Sequence, residues 1–283
     1  MDMNGFKYHY VDEGAGSPVI MVHGNPTWSF YFRRLVQNLS PDLRSIALDH
    51  IGCGLSDKPT VEQYDYTLDQ RIRDLESFIY RLELNEKITL VLHDWGGMIG
   101  MAYALRHLGR IDKIVLLNTA GFFPPKGRPL PLRLKLIRHV KPFAKLAVLG
   151  FNAFARSALF MATAKGLPDD VKSGLLAPYN CWQNRIATLK FVEDIPLKHG
   201  DPSFETVKQV QSELHRLRDL PMLICWGMKD FVFTKAYLDE WRRRFPDARV
   251  QTFGDAGHYV LEDAAETVID HIRKFMLEDK MSD

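Results

Sequence analysis

Asp94 sits in the run Leu90-Val91-Leu92-His93-Asp94-Trp95-Gly96-Gly97, where a short apolar stretch meets a helix opened by glycines. A side chain at such a strand-to-helix turn is raised on a sharp elbow at the edge of a sheet, the position from which a nucleophile attacks. In the serine form of this turn the pattern is G-x-S-x-G. Here Leu92 replaces the first glycine and Asp94 the serine, so serine-ester chemistry is disfavoured and the attacking group is a carboxylate. A carboxylate ionised near neutrality needs no base to attack, and the product of its attack is a covalent ester.

Two more positions complete the chemistry. Met222 to Gly227 reads as a strand, with Asp230 in the loop beyond it, and His258 follows the strand predicted over Val250 to Phe253. In an open α/β sheet all three positions fall at the carboxyl edge, where ligands bind, and their order of nucleophile, acid, histidine is that of an elbow-type triad. His258 is then free to deprotonate the water that cleaves the ester, while Asp230 orients its ring and stabilises the imidazolium. An acid after the preceding strand is a known variant, but Leu116-Leu117-Asn118-Thr119 offers none. His23-Gly24-Asn25-Pro26 makes a tight turn beside the elbow. The backbone N–H groups of Asn25 and Trp95 form the expected oxyanion hole, whose donors are worth roughly 3 to 4 kcal/mol each. The Asn25 amide and the Trp95 indole N–H can also hold a departing anion, and two neutral donors suit a halide that must be released. His93 alternates to the other side of its strand and reads as a hydrogen-bonded structural histidine. Asp49-His50-Ile51-Gly52-Cys53-Gly54 lacks a phosphate-loop lysine and dinucleotide spacing, so it reads as a structural turn and implies no nucleotide.

The elements that must position these groups follow from periodicity. Apolar runs at Phe6 to Val11, Val19 to His23, Ser45 to Asp49, Ile88 to Leu92, Lys113 to Leu117, Met222 to Trp226 and Val250 to Phe253 alternate with helical stretches, the pattern of an α/β protein with a mainly parallel sheet. Thr67 with Gln70 resembles a capping box, and Leu68, Ile72, Leu75, Ile79 and Leu82 recur at helical spacing. From Gly121 to Leu220 the alternation lapses into helical stretches. Residues 1–120 and 221–283 are therefore expected to form the core domain and residues 121–220 a helical cap, or lid, inserted in it. Tyr179 and Trp182 in the cap either line a cavity or pack.

Composition sets outer bounds. With 46% apolar and 25% charged residues in 283, the chain can bury a substantial core. A net charge of +2 gives no global attraction to nucleic acid, and no run reaches the length of a membrane span. The start carries no signal sequence, and Cys53, Cys181 and Cys225 make neither a metal site nor an even disulfide framework. A cytoplasmic protein with free thiols, no metal and no cofactor is expected. The basic, leucine-rich start of the cap, with Lys126, Arg128, Arg133, Lys135, Arg138, Lys141 and Lys145, is either a solvated helix face or a surface that lies on membranes or docks a partner enzyme. Oligomeric state is not legible.

HGNPTW, DHIGCGLSDKP, LVLHDWGG, WGMKDF and DAGHYVLEDA together resemble the haloalkane dehalogenase-like branch of the α/β-hydrolase superfamily, from about residue 6 to residue 276. The resemblance implies an α/β-hydrolase fold with an inserted helical cap, Asp94 as nucleophile, His258 as base, Asp230 as acid and Asn25 with Trp95 as halide-stabilising pair. Within the cap, Asn184 to Leu197 resembles the β-lactone decarboxylases of bacterial long-chain olefin synthesis. The class-level expectation is dehalogenase-type chemistry on an apolar small molecule through a covalent alkyl ester, with β-lactone decarboxylation as the alternative. Epoxide hydrolases of the superfamily typically use two cap tyrosines, whereas residues 121–220 hold only Tyr179. A fluoroacetate-type elbow is D-R, where this one is D-W. A noncatalytic binding protein of this fold would lack one of Asp94, Asp230 or His258, and none is missing.

Overall fold

A computed structural model of the chain describes residues 1–125, 127 and 131–278. Its centre is a seven-stranded sheet in the order β3 (Tyr10–Glu13), β5 (Arg44–Leu48), β4 (Pro18–Val22), β6 (Ile88–Asp94), β7 (Ile111–Thr119), β8 (Met222–Gly227) and β9 (Arg249–Phe253). The β3–β5 pair is antiparallel and all later pairs are parallel. Central parallel strands are covered on both faces and so read as continuous apolar runs. β4, β6 and β8 accordingly bury every residue. Their side chains alternate between two cores, one on each side of the sheet. Ile20, Leu90, Leu92 and Ile224 join the first, and Val19, Met21, Val91 and Leu223 the second.

The chain turns outward from β4 to β5 and then crosses back to β6. The carboxyl ends of the neighbouring strands β4 and β6 are therefore the switch point at which open α/β sheets bind ligands. After β4 and β5 come α1 (Arg33–Leu39) and α2 (Leu68–Arg81). Thr67 caps α2 by accepting from the Gln70 N–H, and Leu68, Ile72, Leu75 and Ile79 are its buried face. α3 (Trp95–Arg106) follows β6 directly and is buried from Gly96 through Leu105, as a helix apolar on all sides must be.

Between β7 and β8 the described residues are helical: α4 (Leu132–His139), α5 (Lys141–Ala144) running into a wider π-turn at Lys145–Gly150, α6 (Ala153–Met161), α7 (Asp169–Leu176), α8 (Ile186–Glu193) and α9 (Phe204–Glu213). Lys126 and Arg128 of the basic segment lie outside the described residues. α10 (Lys235–Arg244) joins β8 to β9, and α11 (Val260–Asp263) and α12 (Ala265–Leu277) are the last helices of the described residues.

One expected strand is two pieces. Phe6 to Val11 divides into β2 (Phe6–Lys7), which pairs with β1 (Asp2–Met3), and the sheet strand β3. The cause is Asn4-Gly5, whose positive φ angles of 57° and 84° make a hairpin turn, so that Tyr8 pairs its backbone with Met1 and buries its ring instead of continuing into the sheet strand. β6 and β7 also run two residues further than their apolar cores suggest, through His93-Asp94 and Asn118-Thr119.

Candidate active site

Asp94 ends β6 with φ 52° and ψ −125°, outside the ordinary regions for an L-residue, at a backbone cost of about 1–3 kcal/mol. The surroundings hold it there. The Thr119 hydroxyl donates to the Asp94 carbonyl, and the Asn25 N–H donates to Asp94 Oδ1 at 2.7 Å. The Trp95 N–H, next along the chain, also favours the charged carboxylate. Gly24 is required by proximity, because a Cβ there would lie 2.0 Å from Asp94 Oδ1. At the other end of the elbow, the missing first glycine of the motif is compensated from the helix. A Cβ on Gly100 would lie 2.2 Å from a Leu92 methyl, so Gly100 makes the space that Leu92 fills.

With Oδ1 bound by the Asn25 N–H, Oδ2 faces His258, whose Nε2 is 3.6 Å away. His258 Nδ1 lies 2.8 Å from Asp230 Oδ2 and donates to it, which leaves Nε2 turned toward Asp94. Asp230 Oδ1 accepts from the N–H groups of Val232 and Phe233 at 2.7 and 3.0 Å. Asp94, Asp230 and His258, far apart in sequence, thus form one chain of contacts, and all three are buried.

Their electrostatics are linked. Burial pushes the Asp94 carboxyl up, and His258 with the Asn25 and Trp95 N–H groups opposes this without cancelling it. Burial disfavours the His258 imidazolium, but the Asp230 and Asp94 carboxylates outweigh burial and the net shift is upward.

Two neighbours were not among the candidate residues. Asn118 donates to Asp230 Oδ2 at 3.0 Å and to the Gly227 carbonyl at 3.0 Å, and accepts from the Gly227 N–H at 2.8 Å. It stands where the variant acid would be and clamps the loop bearing Asp230. Its sequence signal is an asparagine ending an apolar strand, where a positive φ of 35° is needed. His93 is buried and its Nε2 donates to the His258 carbonyl at 3.1 Å, so this histidine anchors the backbone of the other.

A cavity of about 410 Å³ opens above these groups. Its floor includes Asn25, Asp94, Trp95 and His258, and residues of the segment between β7 and β8, such as Ile137, Val148, Phe154 and Ala158, form its walls. The Trp95 indole N–H carries no hydrogen bond among the described residues. The Asn25 side chain donates to the Thr188 carbonyl of α8 at 3.0 Å, tying the HGNP turn to that segment. Tyr179 does not reach the cavity: it is fully buried and donates to the Thr27 carbonyl. Trp182 lies on the surface. The Asp49 turn is structural in detail, its carboxylate accepting from the N–H groups of Ser29 and Leu55 and pairing with His9.

Residues 17–265 match the family described as alpha/beta hydrolase fold, so the chain belongs to that family. Its relatives there are enzymes, and it is one too. Over 279 residues it is 50% identical to the cis-3-alkyl-4-alkyloxetan-2-one decarboxylase of Shewanella oneidensis, spanning 98% of this chain and 87% of that one. Haloalkane dehalogenase 2 of Mycobacterium bovis is 30% identical over 270 residues, 94% of this chain and 90% of that one. Among solved structures, a tyrosine-to-tryptophan mutant of the haloalkane dehalogenase DatA of Agrobacterium tumefaciens superposes with a TM-score of 0.86 at 25% identity, covering 96% of this chain and 93% of that one.

Proposed function

We propose that the chain decarboxylates β-lactones carrying two alkyl chains, with Asp94 as nucleophile. The observation that carries this reading is the 50% identity, over nearly the whole chain, to an enzyme named for that reaction. It is supported by an apolar cavity that ends on a carboxylate and two neutral donors. In this reading residues 121–220 act as the cap that shields the reaction from water.

Asp94 Oδ2 approaches ring carbon C4 in line and displaces the ring oxygen, which becomes the free carboxylate of an alkyl ester. The Asn25 amide and the Trp95 indole N–H receive this carboxylate where a halide would sit. The bond from C3 to the carboxylate then breaks, its electron pair forms the C3–C4 double bond, and Asp94 leaves as the carboxylate. One lactone gives one alkene and one carbon dioxide, with no water consumed. His258, held toward its protonated form by Asp230 and Asp94, supplies positive charge beside the carboxylate that re-forms.

Haloalkane hydrolysis is the second reading, favoured by the unoccupied indole N–H and the likeness to dehalogenases. There the same attack expels halide and water must cleave the ester. Asp230 is the main group favouring the His258 imidazolium and Asp94 adds to it, so esterification of Asp94 removes part of that support and eases loss of the proton before the imidazole acts as base. The two readings separate in one comparison: kcat/KM for alkene formation from a cis-3,4-dialkyl β-lactone against kcat/KM for halide release from 1-bromoalkanes of matching length. Decarboxylation is expected to exceed dehalogenation by about 100-fold or more. Equal or faster halide release would reverse the assignment.

A further inference from the structure

The charge of this molecule is distributed in two parts. From Phe122 to Pro168 the chain contains no aspartate or glutamate and nine lysines and arginines, while the remainder holds 28 basic against 35 acidic residues. A protein of nearly neutral total charge thus carries a strongly basic segment on a net acidic body. Lys135, Lys141, Lys145 and Arg156 of that segment have no ion-pair partner among the described residues. Large apolar side chains stand out between them. Leu132 is 81% and Phe151 68% exposed, and Leu136, Phe143, Leu146 and Trp182 are also exposed. Two pairs of them are neighbours. Leu132 and Leu136 are one turn apart on α4, and Leu146 and Trp182 both flank Gly150. Leu136 and Phe143 line the cavity above Asp94 as well as facing out, so the patch is continuous with the cavity mouth.

We propose that this face seats the protein on the surface of an anionic lipid bilayer, with the cavity mouth against the lipid. The basic side chains match anionic headgroups, and the Leu, Phe and Trp side chains enter the headgroup boundary. A protein partner would need an acidic surface that also accepts several scattered, projecting apolar side chains. A bilayer supplies both without shape complementarity, and it is the phase into which an apolar substrate partitions before entering such a cavity. The surface reading does not depend on which substrate Asp94 attacks, because binding is measured with none present.

The test is co-sedimentation of the purified full chain with phosphatidylcholine vesicles, alone or with about one-third phosphatidylglycerol, at physiological ionic strength. Binding to the anionic vesicles is expected to be about tenfold or more stronger, and to fall steeply with added salt. The Lys135→Glu/Lys141→Glu/Lys145→Glu and Leu146→Ser/Phe151→Ser variants are each expected to lose about tenfold in vesicle binding while keeping wild-type turnover of a short, water-soluble substrate. The salt titration on wild type needs no variant and stands if a variant fails to fold. Salt-insensitive binding, equal binding to neutral vesicles, or undiminished binding by the charge-reversed variant would overturn the proposal. So would absence of binding to the anionic vesicles, and a dimer that the variants dissociate would then make the face a contact between copies of this chain.

Discussion

At the scale of single residues, the strongest constraint is the division of labour between the two oxygens of Asp94. Oδ1 accepts the Asn25 N–H, and Oδ2 lies 3.6 Å from His258 Nε2. If His258 activates the water that cleaves an alkyl ester, His258→Phe should leave the ester stranded. After exposure to a 1-bromoalkane, intact-mass spectrometry should show one alkyl group added, on Asp94; halide release with an unmodified protein mass would contradict this. Asn118 tests the supporting layer. Asn118→Ala removes the amide that donates to Asp230 and grips Gly227. With a hydrogen bond to a charged group worth about 1.5–3 kcal/mol, kcat is expected to fall roughly 10- to 100-fold with KM nearly unchanged. An unaltered kcat in steady-state kinetics would show that Asp230 is held well enough without it. Asp94, Asp230, His258, Asn25 and Trp95 were legible in sequence because each stands in a motif with local punctuation. Asn118 was not, because its role depends on contacts with Gly227 and Asp230 more than 100 residues away.

At the scale of elements, apolar runs and turn residues revealed the strands of the sheet, since buried parallel strands are continuous in Val, Ile and Leu. Their ends were less visible. β6 and β7 extend into His93-Asp94 and Asn118-Thr119, polar residues that a hydrophobic pattern excludes but that the carboxyl edge of a sheet requires. The split of Phe6 to Val11 was signalled by Asn4-Gly5 and overridden by the apolar run that follows it. The HGNP turn shows an element stabilised by a neutral ring. His23 Nδ1 donates to the Gly24 carbonyl at 2.7 Å and Nε2 accepts the His50 N–H at 3.0 Å, so neither nitrogen has room for another proton. Burial lowers the His23 pKa to about 4, and burial likewise lowers those of His50 and His93. A depressed histidine means that the unfolded chain binds a proton the folded chain refuses. Its stabilising contribution is complete above pH 6.5 and is lost as pH falls from 6.5 toward about 4. For His23 alone this amounts to about 3 kcal/mol across that window. Urea unfolding from pH 7 to 4.5 should show falling stability, with a shallower slope in His23→Gln. A stability independent of pH in that range would contradict the neutral pairing.

At the scale of the whole molecule, the sheet carries Asn25 and Asp94 at the switch point between β4 and β6, brings Asp230 and His258 from β8 and β9 to the same edge, and leaves the segment between β7 and β8 to wall the cavity. That the chain is an α/β-hydrolase was readable from its motifs; its substrate was not, because cavity shape depends on how several short helices pack. The elbow, histidine and neutral donors suit both a haloalkane and a strained lactone, and the difference lies in whether water is needed after the ester forms. Gas chromatography of the products from a cis-3,4-dialkyl β-lactone, with wild type and Asp94→Ala side by side, tests the proposed chemistry most directly. Alkene from the wild type and none above background from Asp94→Ala is the predicted result. Alkene from both, or from neither over a range of chain lengths, would contradict Asp94-dependent decarboxylation.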